Sequence, residues 1–250
     1  MELTAAVFAA VAGAALLIGI SKGGLSIGGP ALTILLSLAM PATVAIGVLL
    51  PLLILGDCLA LWAHWRRWDG RLLLRLLPGG VVGVALASLW LRSISERALQ
   101  LVLVAVTLVF VTHQLVRPLL AARSAGAGEA VPARPGLGVV AGTVSGVTST
   151  VAHVGGPPIA IYLLLIRTPS RSYVATSVAF FAVTNWLKVP GYLAAGLLDA
   201  ELLWRLAPTA LLVPPGIWVG RWAVLRISQT TFDRLVLASL AVGAVLLLVR

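Results

Sequence analysis

Residues 137–166 read LGVVAGTVSGVTSTVAHVGGPPIAIYLLLI and carry no Asp, Glu, Lys or Arg. A single membrane-spanning helix needs about 20 apolar residues, so this stretch is longer than one span. The Gly155-Gly156-Pro157 run interrupts it. Glycine lets the backbone leave the helix, and proline fits the first turn of a new helix, where its missing N–H has no cost. The stretch therefore predicts a helical hairpin with a break at these glycines.

The composition places the whole chain in a lipid bilayer. Of its 250 residues, 60% are hydrophobic and 10% are charged, whereas soluble domains carry about 25% charged residues. This excludes a soluble globule, and the chain is too apolar for a disordered one. We expect a multi-pass protein of the inner (plasma) membrane. The net charge of +10 is interpreted as topology signal and attraction to anionic lipids, with no nucleic-acid partner.

The chain reads as two copies of one module. Gly28-Gly29-Pro30 recurs as Gly155-Gly156-Pro157, and Asp69 recurs as Asp199 within similar Leu-rich surroundings. A further match appears only after a three-residue insertion in the second copy, Ile94-Ser95 with Ile227-Ser228. Internal repeats are common in transporters. The predicted organisation is a first transmembrane repeat over 1–116, a cytoplasmic linker over 117–135 and a second transmembrane repeat over 136–250.

The arginines indicate how the repeats are oriented. If each opening segment is a hairpin that enters and leaves on one side, 12 cationic residues face the cytoplasm and 4 face outward. If each is one broken span, the counts become 9 and 7. Because Lys and Arg favour cytoplasmic loops, the hairpin arrangement is preferred. The predicted fold is an all-α polytopic membrane protein with two inverted repeats, each a broken or re-entrant helical hairpin plus three transmembrane helices.

The two hairpin tips are the candidate substrate site. A helix that begins after Gly-Gly offers free N–H groups and a partial positive charge, which together bind anions. Hydroxyls and one cation lie beside these breaks. The candidate binding residues are Ser21, Lys22, Gly23, Gly24, Ser26, Gly28, Gly29, Thr148, Ser149, Thr150, His153, Gly155 and Gly156. Alternatives remain open: Lys22 snorkels to the surface, the glycines serve only packing, or His153 carries a proton or packs within the core.

Three more polar residues fall inside apolar spans. Asp57 and Lys188 lie on corresponding helices, and Asn185 precedes Lys188 by one helical turn. We expect these three residues to support the site or couple it to a second ion, with Asp57 paired to Lys22 or Lys188 to reduce desolvation cost. The only cysteine, Cys58, excludes an intramolecular disulfide or a cysteine metal cluster. No metal site, cofactor or catalytic residue is predicted, and His64 and His113 are expected to be structural.

These features together resemble the TauE/SafE family of sulfite and sulfonate exporters. The resemblance rests on the duplicated Gly-Gly-Pro hairpin, the small-residue span after it, and the Leu-rich span that follows a basic or Asp-containing loop, from Gly19 to Leu115 and from Gly146 to Leu248. It implies a secondary transporter, not an enzyme, that exports sulfite or a small organosulfonate such as sulfoacetate by alternating access. Lys22 and Ser26 in the first motif, and Thr148–Thr150 with His153 in the second, depart from the commoner pattern.

Two other functions are compatible with the sequence. One is a proton-coupled uptake permease for sulfate, thiosulfate or a sulfonate. The other is a membrane biogenesis partner that passes sulfur to another protein, although such a role favours more cysteines than one. The expected partners are a small anionic substrate and the lipid bilayer. A homodimer stays open.

Overall fold

A computed structural model describes residues 4–23, 29–124, 134–224 and 226. These residues form helices and turns, without a strand. The helices are α1 Ala5–Lys22, α2 Gly29–Ser37, α3 Ala42–Ala63, α4 Gly70–Leu91, α5 Glu96–Ser124, α6 Pro135–Ala152, α7 Gly156–Leu165, α8 Ser170–Ala194, α9 Ala200–Leu206 and, after a 3₁₀ segment over Ala207–Leu212, α10 Val213–Val224. In this part of the chain, four helical stretches are long and apolar enough to cross a membrane: Ala5–Lys22, Ala42–Ala63, Gly70–Leu91 and Ala200–Ala223. The expectation of an all-helical membrane protein is confirmed.

Helix breaks are present at both Gly-Gly-Pro motifs. The first falls between α1 and α2, although Gly24, Ser26 and Gly28 lie outside the described residues. The second falls between α6 and α7, where His153 adopts a left-handed conformation with φ 56°. Its N–H donates to Ser149 O at 3.0 Å, which closes the end of α6. This C-cap turns the chain away from the helix axis before Gly156 begins α7.

The sequence match between the halves extends to local structure. Asp69 caps α4 and Asp199 caps α9, and each side chain accepts N–H groups from the second and third residues after it. The backbone angles at the two caps agree within one degree (φ −84°, ψ 108° and 109°). The three-residue insertion falls between Pro208 and Ile227, and the second copy contains a 3₁₀ segment over Ala207–Leu212 where α4 is continuous.

Glycines hold the two halves together at two equivalent seams. A Cβ added to Gly19 of α1 would lie 2.8 Å from Gly216 Cα of α10, and one added to Gly146 of α6 would lie 3.1 Å from Gly83 Cα of α4. Gly19 and Gly146 are the residues that the repeat alignment pairs. The backbones approach so closely only because neither side carries a Cβ, as in other small-residue contacts of membrane helices.

One helix extends beyond its expected boundary. The first repeat is predicted to end at residue 116, whereas α5 continues to Ser124. The added turns contain Pro118 followed by Leu119-Leu120-Ala121-Ala122, and Leu and Ala are strong helix formers. Residues 125–133 of the predicted linker and residues 227–250 of the predicted second repeat lie outside the described residues.

Apolar side chains cover the outer face of the bundle. Trp62 is 82% exposed and Trp204 is 81% exposed, beside other exposed Leu, Val and Trp residues. Trp65 and Trp68 pack edge to face at 5.6 Å next to the basic α3–α4 loop. Such a surface suits contact with lipid, and tryptophans near a loop suit the interface between membrane and water.

Candidate functional site

A network of buried polar side chains crosses the middle of the bundle. Lys22 of α1 forms an ion pair with Asp57 Oδ1 of α3. Asn185 of α8 donates from Nδ2 to Asp57 Oδ2 at 2.6 Å and accepts at Oδ1 from Lys188 Nζ, also at 2.6 Å. Lys188 donates a second hydrogen bond to Ser149 Oγ of α6 at 2.8 Å. One continuous network therefore joins helices from both halves.

The residues of this polar network differ in their exposure to solvent. Asp57 and Lys188 are fully buried, and Asn185 and Ser149 are each 4% exposed, whereas the Lys22 side chain is 18% exposed. Burying charged groups is costly unless they are paired and hydrogen-bonded. The geometry satisfies Asp57 with two donors and Lys188 with two neutral acceptors. In the described structure Lys22 and Asp57 form the only buried salt bridge.

A cavity of about 170 Å³ lies against this polar network. Its walls come from both halves: Ile18, Ser21, Lys22, Leu32, Leu53, Ser149, His153, Gly155, Gly156, Phe181 and Asn185. Leu53 lies at the centre of α3, which places the cavity midway along that helix. The volume is below the roughly 300–1,000 Å³ typical of pockets for drug-sized ligands, so the space suits a small ligand.

The beginning of α7 faces the cavity. Pro157 and Pro158 follow in its first turn and carry no N–H, so the N–H groups available there are those of Gly155 and Gly156. A Cβ on Gly155 would lie 2.8 Å from Ser149 Cβ and 2.8 Å from Ser145 Oγ, so a larger residue does not fit. Ser145 also donates to Gly155 O at 2.7 Å and fixes the turn. This terminus brings a partial positive charge to the cavity.

His153 adds an unpartnered polar atom to the same wall. The side chain is 8% exposed and its Nε2 lies 3.1 Å from Ile46 O. Because a carbonyl only accepts, Nε2 donates this hydrogen bond. Nδ1 is buried without a hydrogen-bond partner. An unsatisfied buried atom beside a cavity indicates that a ligand or water completes its bonding there.

A wider vestibule of about 630 Å³ adjoins the cavity. The two spaces share Ser21, Lys22, Gly156 and Phe181, and the vestibule continues past Gly23 to the ends of α3 and α10. Its mouth carries three basic side chains, His64, Arg67 and Arg221, and the lining residues that the structure describes include no carboxylate. The opening is therefore positively charged, and such clefts attract anions.

The position of His64 in the vestibule wall changes its pKa. His64 caps the end of α3, outside the membrane-spanning segments. Partial burial and then the nearby Arg67 and Arg221 guanidinium groups lower the pKa of His64 below its ordinary value. The side chain is therefore neutral at pH 7. Arg171 extends the basic surface, since it lines a further space together with His64 and Arg67.

The opposite end of the bundle is closed by apolar packing. One buried hydrophobic cluster lies beyond the cavity. It contains Ile46 and Leu50 of α3, Val151 of α6, Val154 after α6, and Tyr192 of α8. Thr33 of α2 donates to Ala152 O at 3.0 Å, so the second helix of the first hairpin is tied to the end of α6. Among the described residues, the cavity therefore adjoins the vestibule on one side and apolar packing on the other.

The structure brings together part of the predicted site. Ser21, Lys22, Ser149, His153, Gly155 and Gly156 line the cavity, and Gly23 lines the vestibule. Gly29 begins α2. Thr148 and Thr150 lie elsewhere: their hydroxyls donate to Val144 O at 2.8 Å and to Gly146 O at 2.7 Å, as threonines in helices commonly do. The predicted pairing of Asp57 is present with Lys22, and Asn185 lines the cavity itself.

Sequence reasoning did not identify several of the wall residues. Leu53 and Phe181 look like any other apolar residue in a span, and no sequence signal distinguishes them. His64 was expected to be structural, yet it lines the vestibule. Its position directly beside Arg66 and Arg67 was the available signal. The side chain of His113 lies outside the described structure.

No metal centre is apparent in the part of the chain that the structure describes, because no three His, Cys, Asp or Glu side chains are grouped there. Cys58 is exposed and unpaired.

Membrane-length helices around a buried polar cavity define a polytopic membrane protein. Residues 10–247 match the family model described as Sulfite exporter TauE/SafE, and the chain belongs to this family. Its members are membrane transporters of anions such as sulfite and not enzymes. Among curated proteins and solved structures, nothing matches the chain.

Proposed function

We propose that this protein is a secondary transporter of the inner membrane that exports sulfite or a small sulfonate. The observation that carries the proposal is the mid-bundle cavity. It combines Lys22, the Ser149 hydroxyl, the α7 terminus and the unpartnered Nδ1 of His153 in one space of about 170 Å³. Hydroxyls and helix N–H groups replace the hydration shell of an oxyanion, and the cationic side chains offset its charge.

The proposal includes inverted repeats. The loop before Asp69 follows the C-terminal end of α3, whereas the corresponding loop before Asp199 packs with Leu197 and Leu198 against Ala42 and Ile46, at the beginning of the same helix. These ends are about 33 Å apart at 1.5 Å per residue. Equivalent loops at opposite ends support a pseudo-two-fold axis in the membrane plane, the arrangement of many secondary transporters.

A topology experiment tests the inverted arrangement. In a Cys58→Ala background, single cysteines at Pro169→Cys and Ala200→Cys probe the α7–α8 and α8–α9 loops, whose residues are exposed at these positions. We expect a membrane-impermeant thiol reagent to label Ala200→Cys from outside intact cells and Pro169→Cys only after the cells are opened. Labelling of both positions from the same side would contradict the inversion.

The direction of transport follows from the open mouth. Arg67, Arg171 and Arg221 surround it, and basic loops favour the cytoplasm, so the described conformation is the one that loads from inside. A negative interior drives an anion outward by about 2.3 kcal/mol per charge per 100 mV, so export needs no coupled ion. Repacking of the apolar cluster on the far side would open the alternate pathway.

Reconstituted liposomes test the function directly. Purified protein is placed in vesicles loaded with sulfite, and efflux is followed at set membrane potentials with protein-free vesicles as the control. We expect efflux that increases as the interior becomes negative, without a proton gradient. Flux that requires an inward proton gradient would instead support the uptake permease. If neither voltage nor a pH gradient drives any anion flux, the proposal is wrong.

A further inference from the structure

The charges around the cavity do not balance. With both lysines protonated, Lys22 and Lys188 contribute two positive charges and Asp57 one negative charge, which leaves a single net positive charge beside the cavity. The ionisable groups at the cavity are Lys22 of α1 and His153 in its wall, and Asp57 of α3 and Lys188 of α8 behind the wall, with His64, Arg67 and Arg221 further out in the vestibule. A buried cation without a partner is costly in a membrane. One bound negative charge removes that imbalance.

Lys188 acts on the cavity through its hydrogen bond to Ser149. Lys188 is fully buried and does not itself line the cavity, while Ser149 does. The Lys188 ammonium donates to Ser149 Oγ at 2.8 Å. The hydroxyl oxygen is thus occupied as an acceptor, and its proton is polarised and available to a ligand. Lys188 is in this sense a positioning residue that acts through Ser149.

His153 presents an acceptor to the ligand. Because Nε2 donates to Ile46 O, the neutral ring has a lone pair and no proton at Nδ1. That atom is buried and unpartnered. An O–H of a protonated oxyanion completes its bonding, whereas a fully deprotonated dianion would place an oxygen lone pair against it. For hydrogensulfite the acceptor and the charge balance therefore favour the same ionic form, whereas a sulfonate monoanion satisfies the charge balance alone.

We propose that the site selects singly charged sulfur oxyanions, hydrogensulfite or a sulfonate without a second ionised group, over dianions such as sulfate, fully deprotonated sulfite or sulfoacetate. The inference rests on the proposed transport function and specifies the ionic form that is carried. A dianion would leave one negative charge uncompensated at mid-membrane depth. Because Asp57 neutralises its partner Lys22, Asp57 determines the net charge of the site and therefore the charge of the anion that the site accepts.

The full-length protein in liposomes tests this without any variant. Methanesulfonate is a monoanion and sulfate is a dianion across the neutral pH range, whereas sulfite gains or loses its proton near neutral pH. We expect methanesulfonate flux to exceed sulfate flux by more than about tenfold. At constant total sulfite, flux divided by methanesulfonate flux at the same pH rises on acidification. This ratio cancels titration effects that act equally on both anions.

Charge variants give a sharper test. Asp57→Asn raises the net charge at the cavity to two, and we expect the methanesulfonate-to-sulfate ratio to fall about tenfold. The double variant Lys22→Gln with Asp57→Asn returns the net charge to one and restores the ratio. Glu201→Gln is the matched control, because it makes the same change in total charge at an exposed i,i+4 pair remote from the cavity. Its ratio stays at the wild-type value.

The outcomes separate this inference from the transport function. If wild-type protein carries both anions and sulfate equals or exceeds methanesulfonate, selection by charge is wrong and transport stands. If neither anion moves, the transport proposal itself fails. If Asp57→Asn does not fold in detergent, the pH dependence of the wild-type sulfite-to-methanesulfonate ratio decides, and a flat ratio overturns the inference.

Discussion

Removing the Ser149 hydroxyl tests the cavity geometry most directly. Ser149→Ala keeps the Cβ and the helix but deletes the only hydroxyl that both lines the cavity and accepts from Lys188. The side chain is 4% exposed, so the change creates little new space. The substrate loses one hydrogen bond to a charged group, and the Lys188 charge loses its path to the cavity.

The magnitude follows from the strength of such a bond. Hydrogen bonds that involve a charged partner contribute about 1.5–3 kcal/mol, which corresponds to about a 10- to 150-fold loss of affinity. Sulfite or methanesulfonate binding to the purified protein is measured by isothermal titration calorimetry, and unfolding temperature in detergent reports on the fold. We expect weaker binding by protein that still unfolds cooperatively, with a lower unfolding temperature because the buried Lys188 loses one of its two acceptors.

Threonines on either side of Ser149 provide the controls. Thr148→Val and Thr150→Val remove neighbouring hydroxyls that donate to backbone carbonyls of α6 and do not line the cavity. We expect these variants to keep wild-type affinity. If Ser149→Ala binds within about twofold of wild type, or if Thr148→Val weakens binding more than Ser149→Ala does, the assignment of Ser149 is refuted.

Three further predictions concern stability and pH. Gly19→Ala should lower the free energy of unfolding by about 1–3 kcal/mol, because its Cβ meets the α10 backbone, whereas Gly13→Ala, with open space around it, should be neutral or stabilising in the same thermal assay. Glu96→Gln should cost about 1 kcal/mol, since the Glu96 carboxylate accepts N–H groups at the start of α3, and an unchanged unfolding temperature would contradict this cap. The pKa of His64 is lowered by burial and two arginines, so the native state disfavours its charged form, and stability should fall as the pH drops through the ordinary histidine value; His64→Gln should lose that part of the pH dependence, and an identical pH profile in both proteins would speak against it.

The sequence was sufficient for the class of protein and for the local breaks in its helices. A charge fraction of 10% in 250 residues leaves only a membrane environment. Gly-Gly-Pro and the capping aspartates act within a few residues of themselves, so the breaks and the caps at Asp69 and Asp199 were readable directly. The end of α5 was less readable, because Arg117-Pro118 resembles a helix stop, whereas the helix continues through Pro118 into strong helix formers and ends at Ser124.

The candidate site was only partly predictable. Thr148, Ser149 and Thr150 are equivalent as a sequence of hydroxyls, yet they point in different directions around α6, and only Ser149 faces the cavity. Helical rotation of about 100° per residue separates neighbours that the sequence lists together. The sequence also left open whether Asp57 pairs with Lys22 or Lys188, and the packing of α1 against α3 decides for Lys22.

The sequence by itself determined that this chain is a helical membrane protein with polar groups at two glycine-rich breaks, because composition and local backbone preference suffice for that. Tertiary structure alone decided which of those groups meet. The close glycine contacts bring α1 to α10 and α4 to α6, and only then do Lys22, Asp57, Asn185, Lys188 and Ser149 form one network. The physical reason is distance along the chain: Lys22 and Asp57 lie 35 positions apart, and Asp57 and Asn185 lie 128 apart. Their pairing depends on how helices pack, and no local sequence pattern encodes it.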